Sequence, residues 1–339
     1  MDGQQPGPAG PEPPRPEVEG LEVVRWLGSG ASASAWLARD DDGTEYALKV
    51  YRPAVRPGGG GLDGELVLLA RLEHEHLVRA HRQVATSLGP GLLLTFAAGG
   101  SLAALVAARG PLTAGEAVTV LTPLGQVLAF LHAQGVSHGD VSPGNVLFTA
   151  VGKPLLADLE AGRVAGSAPL RQAATPGFQP ASEPAGPAAD IYALGALGWY
   201  GLTGRVPAAT EARPPLGILC PGVPAELVAV LEEALDDEPS ARPSAADFAR
   251  RVYRCAPAEP LDLAGAVHPS VVPQLLTRRQ PPDAGQRNRP RLRHLAEPEP
   301  GGTGGLRAGR WRPDLSHLLL AGIALIAAVG LGIAVVGML

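Results

Sequence analysis

A short polar segment in the middle of the chain contains the residue types that phosphoryl transfer requires. Asn145 lies five residues after Asp140, and Asp158 follows thirteen residues after the Asn. The first carboxylate can orient or deprotonate an attacking hydroxyl, while the Asn and the second Asp can hold Mg²⁺ on nucleotide phosphates. The same residue types are common in turns, so the segment alone leaves both readings open.

Residues upstream of this segment suit the phosphates of a nucleotide. Gly28 and Gly30 lie between two apolar runs, where glycines let a hairpin backbone come close to phosphates. Lys49 stands in the strand-like run Tyr46–Val50 and is one of two lysines in the chain, which makes it a candidate phosphate-binding cation. Glu65 starts an apolar-periodic helix and could pair with Lys49. Each also has an ordinary explanation: a turn, a surface lysine and a solvated first-turn carboxylate.

Taken together and in order, these segments resemble a eukaryotic-type (Hanks-type) protein kinase of the bacterial serine/threonine group. The similarity covers roughly residues 21–255, and the agreement of many ordered motifs is far more specific than any one of them. The matching segments, in chain order, are Gly28–Ala33, Ala47–Lys49, Glu65, Leu92–Leu102, His138–Asn145, Asp158–Glu160, Thr175–Phe178, Asp190–Gly195, Leu202–Arg205 and Ser240–Ser244.

The resemblance implies an α+β, two-lobed protein-kinase-like fold. Residues 21–99 would form a small antiparallel β lobe with one helix, and residues 100–255 a larger α-helical lobe. It also implies ATP and Mg²⁺ as cofactors, and Ser or Thr hydroxyls of protein substrates as acceptors. The implied roles are catalytic base for Asp140, metal ligands for Asn145 and Asp158, phosphate binding for Lys49 positioned by Glu65, phosphate cover for Gly28 and Gly30, and nucleotide contact for Leu94.

The chain departs from the family pattern at several motif positions. Ala33 replaces the third glycine of the phosphate loop, which weakens the nucleotide cover in principle. Gly139 replaces the arginine that receives an activation-segment phosphate, so gating by phosphorylation through that route is expected to be absent. Ser142 replaces a lysine that helps to neutralise the transferring phosphoryl group. Leu159 and Glu160 replace the Phe and Gly of the metal-binding triplet.

These departures leave three functions open. The catalytic loop and the Asp-Leu-Glu triplet at 158–160 also resemble kinase-fold enzymes that phosphorylate small molecules, such as the aminoglycoside and choline kinases. Thr175–Phe178, Asp190–Gly195 and Ser240–Ser244 belong to the protein-kinase type instead. We therefore rank a protein serine/threonine kinase first, a weak or inactive pseudokinase acting as an ATP-binding scaffold second, and a small-molecule kinase third.

The composition agrees with a kinase-like body and disfavours one class of partner. The 339 residues suit one two-lobed domain with tails, and 45% hydrophobic residues suffice for a core. The net charge of −5 argues against a nucleic-acid-binding body. Cys220 and Cys255 have no metal-binding spacing, and a reducing cytoplasm fits them, although one disulfide between them stays open.

Three segments outside the kinase-like region carry separate expectations. Residues 1–20 are rich in Pro and Gly without an apolar core, which indicates a disordered leader and no signal peptide. Residues 256–314 are rich in Pro, Gly and Arg and are expected to form a disordered linker. Its arginines could bind anionic lipid head groups or serve only as a solubilising charge run.

Residues 315–339 form one long apolar run that reaches the roughly 20 residues needed to cross a bilayer. Arginines precede the run, so the positive-inside rule keeps the kinase-like domain in the cytoplasm. The expected protein is a single-pass, tail-anchored protein of the cell membrane. Ala324, Ala328 and Gly332 lie four residues apart and could pair two such helices into a homodimer, although chance explains them equally well.

Overall fold

The computed structural model describes residues 13–30, 33–52, 72–159, 163–164, 175–180 and 183–267. All of them belong to one compact unit, Met1–Pro282, and a second unit, Asp283–Leu339, contains none of them. Three predictions lie outside the described residues: the helix that begins at Glu65, Glu160 of the metal-binding triplet, and the membrane helix at 315–339.

The small lobe is an antiparallel sheet, as predicted, with the strand order β1-β2-β3-β5-β4. A tight turn joins β2 to β3, where the Asp40 carboxylate accepts hydrogen bonds from the backbone N–H groups of Asp42 and Thr44, at 3.1 and 2.8 Å. The strands are β1 (Glu22–Ser29), β2 (Ala33–Arg39), β3 (Glu45–Tyr51), β4 (Ala80–Thr86) and β5 (Gly89–Thr95).

The two faces of this sheet differ in what they present. Cross-strand pairs share a face, because side chains alternate along each strand. One face carries the apolar core of the small lobe, with Trp36 opposite Leu48 and Leu48 opposite Leu93. Lys49 lies on the other face, opposite Ala35 and Leu92. The sheet therefore buries its aromatic face and turns the face that carries Lys49 toward the rest of the unit.

The remainder of the unit is a predominantly helical lobe with one large apolar core. Two short β pairs, β6 with β9 and β7 with β8, lie between its second and third helices. Both cysteines in this lobe are free thiols. The elements are α1 (Leu102–Arg109), α2 (Ala114–Ala133), β6 (Val136–Ser137), β7 (Val146–Phe148), β8 (Pro154–Leu156), β9 (Arg163–Val164), α3 (Pro187–Thr203), α4 (Leu216–Leu219), α5 (Ala225–Ala234) and α6 (Ala245–Cys255).

Helix α2 is the central helix of this lobe and leads directly into the catalytic-loop segment. Thr113 and Glu116 form a reciprocal capping box at its start, which satisfies two backbone N–H groups. By length and composition α2 could cross a membrane, but 67% of its apolar window is buried inside the lobe, as in a core helix. Helix α2 is therefore a core helix of the lobe, and it ends shortly before the catalytic-loop segment.

The chain after α6 continues to pack on the helical lobe. Leu261 and Leu263 are fully buried in its core. The Glu259 carboxylate accepts a hydrogen bond from the Thr113 hydroxyl at 2.6 Å. The Ala266 carbonyl approaches Gly100 so closely that a Cβ there would lie 2.8 Å from it. The ordered body thus extends past the predicted boundary at residue 255, because two leucines in a Pro-rich stretch are too few to show any periodicity.

Candidate active site

One buried carboxylate fixes the backbone of the predicted catalytic loop. Asp190, near the start of α3, accepts a hydrogen bond from the backbone N–H of His138 at 2.8 Å and another from that of Gly139 at 2.8 Å. His132, near the end of α2, lies 2.8 Å from the same carboxylate through Nε2. A buried carboxylate needs several donors, and these three join α2, α3 and the loop at one point.

His138 connects the catalytic loop to the strand that precedes Asp158. Its Nε2 lies 3.0 Å from the carbonyl oxygen of Ala157, and its Nδ1 lies 3.3 Å from the backbone nitrogen of Asp140. Since a carbonyl accepts and an N–H donates, these partners select the neutral tautomer with the proton on Nε2. Complete burial lowers the pKa of His138, which favours the same neutral form.

The carboxylate of Asp140, the predicted catalytic base, is oriented from two sides. Its Oδ1 accepts hydrogen bonds from the hydroxyl of Thr175 at 2.8 Å and from the backbone N–H of Thr175 at 3.2 Å. Its Oδ2 accepts one from the side-chain amide of Asn145 at 2.8 Å. The sequence indicated only that Thr175 lies at the end of an activation segment, and the structure adds its direct contact with Asp140.

The β7–β8 hairpin brings the two predicted metal ligands together. Asn145 precedes β7 and Asp158 follows β8, and the backbone N–H of Ala157 donates to the carbonyl oxygen of Asn145 at 2.8 Å. Both side-chain hydrogen bonds of Asn145 use its amide nitrogen, which leaves the amide oxygen for a metal. Mg²⁺ prefers oxygen ligands and usually takes one or two from protein beside substrate phosphates, so this pair fits the ion.

Asp158 has an unusual backbone conformation and forms an ion pair with Lys49 of the small lobe. Its φ of 69° makes it the one residue other than glycine with a positive φ in the described part of the chain. Such strain persists only where surrounding contacts hold it, and it often marks functional sites. Lys49 Nζ lies 2.6 Å from Asp158 Oδ1, and the two side chains are 16% and 40% exposed.

The other predicted nucleotide residues follow from the register of the small sheet. Gly28 pairs with Ala35, which pairs with Lys49, so all three share one face. Leu94 lies opposite Ala47, two residues before Lys49, and therefore belongs to that face as well. The backbone N–H of Gly30 donates to the carbonyl oxygen of Ala33 at 2.9 Å and closes the β1–β2 turn. Glu65 lies outside the described residues.

The segment between the β7–β8 hairpin and α3 is attached to the helical lobe near its C-terminal end, at Glu183. Arg242 is buried and donates to the Glu183 carboxylate at 2.7 Å and to the Ala188 carbonyl at 2.9 Å. Its guanidinium also stacks on the Tyr192 ring, 5.2 Å from the centroid. The sequence indicated no partner for the motif Ser240–Ser244, and the structure pairs its Arg242 with Glu183.

Sequence reasoning assigned no contact to Asp190, His132 or Gln179. Gln179 donates its side-chain amide to the carbonyl oxygen of Gly139 at 2.5 Å. A signal was available for Asp190, because a lone carboxylate in an otherwise apolar helix must have a buried partner. No comparable signal pointed to Gln179, which follows a turn in a polar stretch.

Comparisons with known proteins agree with this geometry. The family model described as "Protein kinase domain" matches residues 21–254. Similar curated proteins are serine/threonine-protein kinases drp72 of Corynebacterium efficiens (30% identity, covering 55% of this chain and 39% of that protein), serine/threonine-protein kinase PknK of Mycobacterium tuberculosis (32%, 51% and 18%) and serine/threonine-protein kinase PkaA of Streptomyces coelicolor (29%, 66% and 48%).

The chain therefore spans less than half the length of each of these relatives. The family match, by contrast, extends over both lobes and includes each predicted site residue, from Gly28 to Asp158. The two-lobed fold and the ordered motifs agree with it. The chain belongs to the protein kinase family.

Proposed function

We propose that the chain is a serine/threonine protein kinase that transfers the γ-phosphoryl group of ATP to protein hydroxyls with the help of Mg²⁺. The observation that carries the proposal is the joint placement of Asp140, Asn145, Asp158 and Lys49. Asp140 is held by Asn145 and Thr175, and Lys49 is held by Asp158, so the residues proposed for the acceptor hydroxyl and for the phosphates each have fixed partners.

Each of these residues has a task in the reaction. Lys49 supplies a positive charge to the nucleotide phosphates once its contact with Asp158 is shared with them. Asn145 and Asp158 would hold Mg²⁺, which neutralises charge on the phosphates when bound. Asp140 orients the acceptor hydroxyl and takes its proton as the hydroxyl oxygen bonds to the γ-phosphorus and the bond to ADP breaks.

A protein acceptor is favoured by the contacts of Thr175. This residue lies at the end of the segment that resembles a protein-kinase activation segment, and its hydroxyl bonds directly to the catalytic carboxylate. The names of the similar proteins support the same acceptor class. The pseudokinase alternative rests on Ser142, which is neutral and buried where the family has a lysine.

The three functions can be separated in one assay. The full-length chain, purified in mild detergent, is incubated with radiolabelled Mg-ATP and either generic protein acceptors or small aminoalcohols. We expect label on protein Ser or Thr, absent from an Asp158→Asn variant that rules out a contaminating kinase. Label on the aminoalcohols alone would favour a small-molecule kinase. A thermal shift with Mg-ATP but no transfer would favour the scaffold.

We also propose that the protein is anchored in the cell membrane by residues 315–339, with the kinase domain in the cytoplasm. The apolar run and the preceding Arg307, Arg310 and Arg312 support this topology. The full chain should resist carbonate extraction, whereas a chain ending at Arg312 should be soluble. External protease that digests the kinase domain in intact spheroplasts would refute the orientation. Helix pairing through Ala324, Ala328 and Gly332 would appear as a tail-dependent dimer on cross-linking.

A further inference from the structure

Gly139 uses both of its backbone polar groups to join separate parts of the site. Its N–H donates to Asp190 Oδ1 at 2.8 Å, and its carbonyl accepts from Gln179 Nε2 at 2.5 Å. Because a carbonyl can only accept, the donor must be the amide nitrogen, and the orientation of the Gln179 amide is fixed. Gly139 has a φ of 82°, a region that favours glycine.

The contact between Gln179 and Gly139 lies where the family pattern has its arginine. That arginine would link the catalytic loop to a phosphate on the activation segment, and Gly139 cannot do so. Here two residues from the end of that segment bind two consecutive loop residues: Gln179 binds Gly139, and Thr175 binds Asp140. The link is made by neutral side chains and needs no phosphate.

Phe178 anchors the segment that presents these two side chains. It is 3% exposed and packs edge-on against Tyr200 of α3, with ring centroids 6.0 Å apart. A residue fixed in the core immediately before Gln179 restricts where the amide can point. The hydrogen bond to Gly139 is thus formed between two attached elements, the α3-bound segment and the Asp190-bound loop.

We infer that Gln179 is a positioning residue, which holds the catalytic loop in its working conformation without phosphorylation of the activation segment. The inference rests on the proposed function, because it assumes that Asp140 acts on an acceptor hydroxyl. The side-chain amide of Gln179 binds the backbone of Gly139. Its effect passes through Gly139 to the neighbouring Asp140, so it should change turnover and leave nucleotide affinity intact.

Two substitutions separate the hydrogen bond from mere packing. Gln179→Leu removes the donor at similar size. Gln179→Glu replaces the donor by a carboxylate, which faces the Gly139 carbonyl and can donate only when protonated. The charged or titratable groups around this point are His138 and Asp140 of the loop itself, His132 of α2 and Asp190 of α3. The added negative charge near Asp140 and Asp190 raises the pH at which the new carboxyl protonates.

The experiment compares the full-length wild type with both variants, with phosphatase-treated wild type and with Gln126→Leu, the same change at an exposed position of α2. Gln179→Leu should lower kcat by about tenfold, because the free energy of one ordinary hydrogen bond corresponds to roughly that change in rate. The Kd for Mg-ATP should not change. Gln179→Glu should lose more at pH 8 and recover relative to wild type as the pH falls toward 5.5. Phosphatase treatment should leave the wild-type rate unchanged.

A second readout keeps the inference independent of activity. Amide hydrogen exchange at His138 and Gly139 should be faster in Gln179→Leu than in wild type and in Gln126→Leu. An inactive wild type whose loop loosens in this way would refute the proposed function and support the positioning role. An active wild type with normal kcat and exchange in Gln179→Leu would overturn the inference, as would a many-fold loss of rate after phosphatase treatment.

Discussion

The small lobe presents Lys49 on a sheet face, where it forms an ion pair with Asp158, whose side chain is 40% exposed. The helical lobe, in contrast, surrounds Asp140 with hydrogen bonds from Asn145 and Thr175 and fixes the loop behind it with the buried Asp190. The contact of Lys49 is thus the more exposed one. The departures from the family pattern, Gly139 and Ser142, lie in the denser hydrogen-bond network of the helical lobe.

The two lobes thus differ in what their site residues depend on: the charge of the side chain in the small lobe, and the surrounding hydrogen bonds in the helical lobe. A partly exposed ion pair contributes little to stability, so we expect the charge of Lys49 to matter for the proposed phosphate contact more than for folding. A network of buried hydrogen bonds is costly to leave incomplete, so the loop keeps its shape even where a family residue is missing. The departures at Gly139 and Ser142 remove charges but leave the backbone of the loop supported.

The largest effect is expected for Asp140→Asn. The amide cannot take a proton from the acceptor hydroxyl, so kcat should fall by about 10²- to 10⁴-fold, the range of general-base contributions. Nucleotide binding should persist, because the role proposed for Asp140 is on the acceptor hydroxyl. Isothermal titration with Mg-ATP and phosphotransfer rates test both parts. A variant that transfers phosphate at the wild-type rate would contradict the assignment of Asp140.

The small lobe is probed by Lys49→Met. Loss of the point charge should lower kcat by roughly 10²- to 10³-fold, as for other electrostatic donors to a transition state. The free energy of unfolding should change by no more than about 1 kcal/mol, because the ion pair with Asp158 is partly exposed. The two quantities are measured by radiolabel transfer and by urea titration.

The chain supplies a matched control for this change. Lys153, its other lysine, also pairs with a carboxylate, that of Glu75 at 2.9 Å, but on the surface away from the hairpin's metal ligands. Lys153→Met should leave kcat unchanged. Equal losses in both variants would mean that Lys49 acts through general charge and has no specific place at the phosphates.

The denser packing of the helical lobe includes the segment after α6. Leu263→Ala should lower the free energy of unfolding by about 2–5 kcal/mol, the usual cost of removing a fully buried leucine side chain. Leu219→Ala, at an exposed position of α4, should change it by less than about 0.5 kcal/mol. Similar values for both variants in urea titration would show that residues 256–267 do not stabilise the lobe.

Much of this architecture could be predicted because its signals are local. Asp140, Asn145 and Asp158 keep a short, fixed spacing, since one loop and one hairpin connect them. The antiparallel small lobe was expected from the resemblance, and the tight turn at Asp40 joins two of its strands. The buried α2 follows from a long apolar pattern with a capping box at Thr113.

The remaining contacts join residues that are far apart in sequence. Gln179 and Gly139 are separated by 40 residues, and Asp190 and His132 by 58. Whether two residues so far apart in sequence meet depends on the lengths of the loops between them, which the motifs do not constrain. Residue types alone therefore could not pair these side chains. Leu261 and Leu263 were missed for a different reason, because two apolar residues give no period to detect.

The smallest predicted effect concerns the pH dependence of the helical lobe. His138 is neutral and fully buried, and burial lowers its pKa below the value of about 6.5 for an unfolded histidine. Between the two pKa values the unfolded chain binds more protons than the folded one, so stability falls as the pH falls. The stabilisation from neutral His138 is complete above pH 6.5 or so and is lost as the pH decreases toward the folded pKa.

His138→Gln should therefore flatten this part of the stability profile. Glutamine can still donate to the Ala157 carbonyl but does not titrate, so the difference in unfolding free energy between wild type and variant should shrink by at most about 1.4 kcal/mol per pH unit below pH 6.5. Urea titrations from pH 7.5 to 5 measure it. His81→Gln is the control: burial lowers its pKa too, but it lies exposed on the edge strand β4, so its effect on the slope should be smaller. Parallel profiles for wild type and His138→Gln would mean that the histidine exchanges its proton equally in both states, and that the small lobe or the surface sets the acid sensitivity instead.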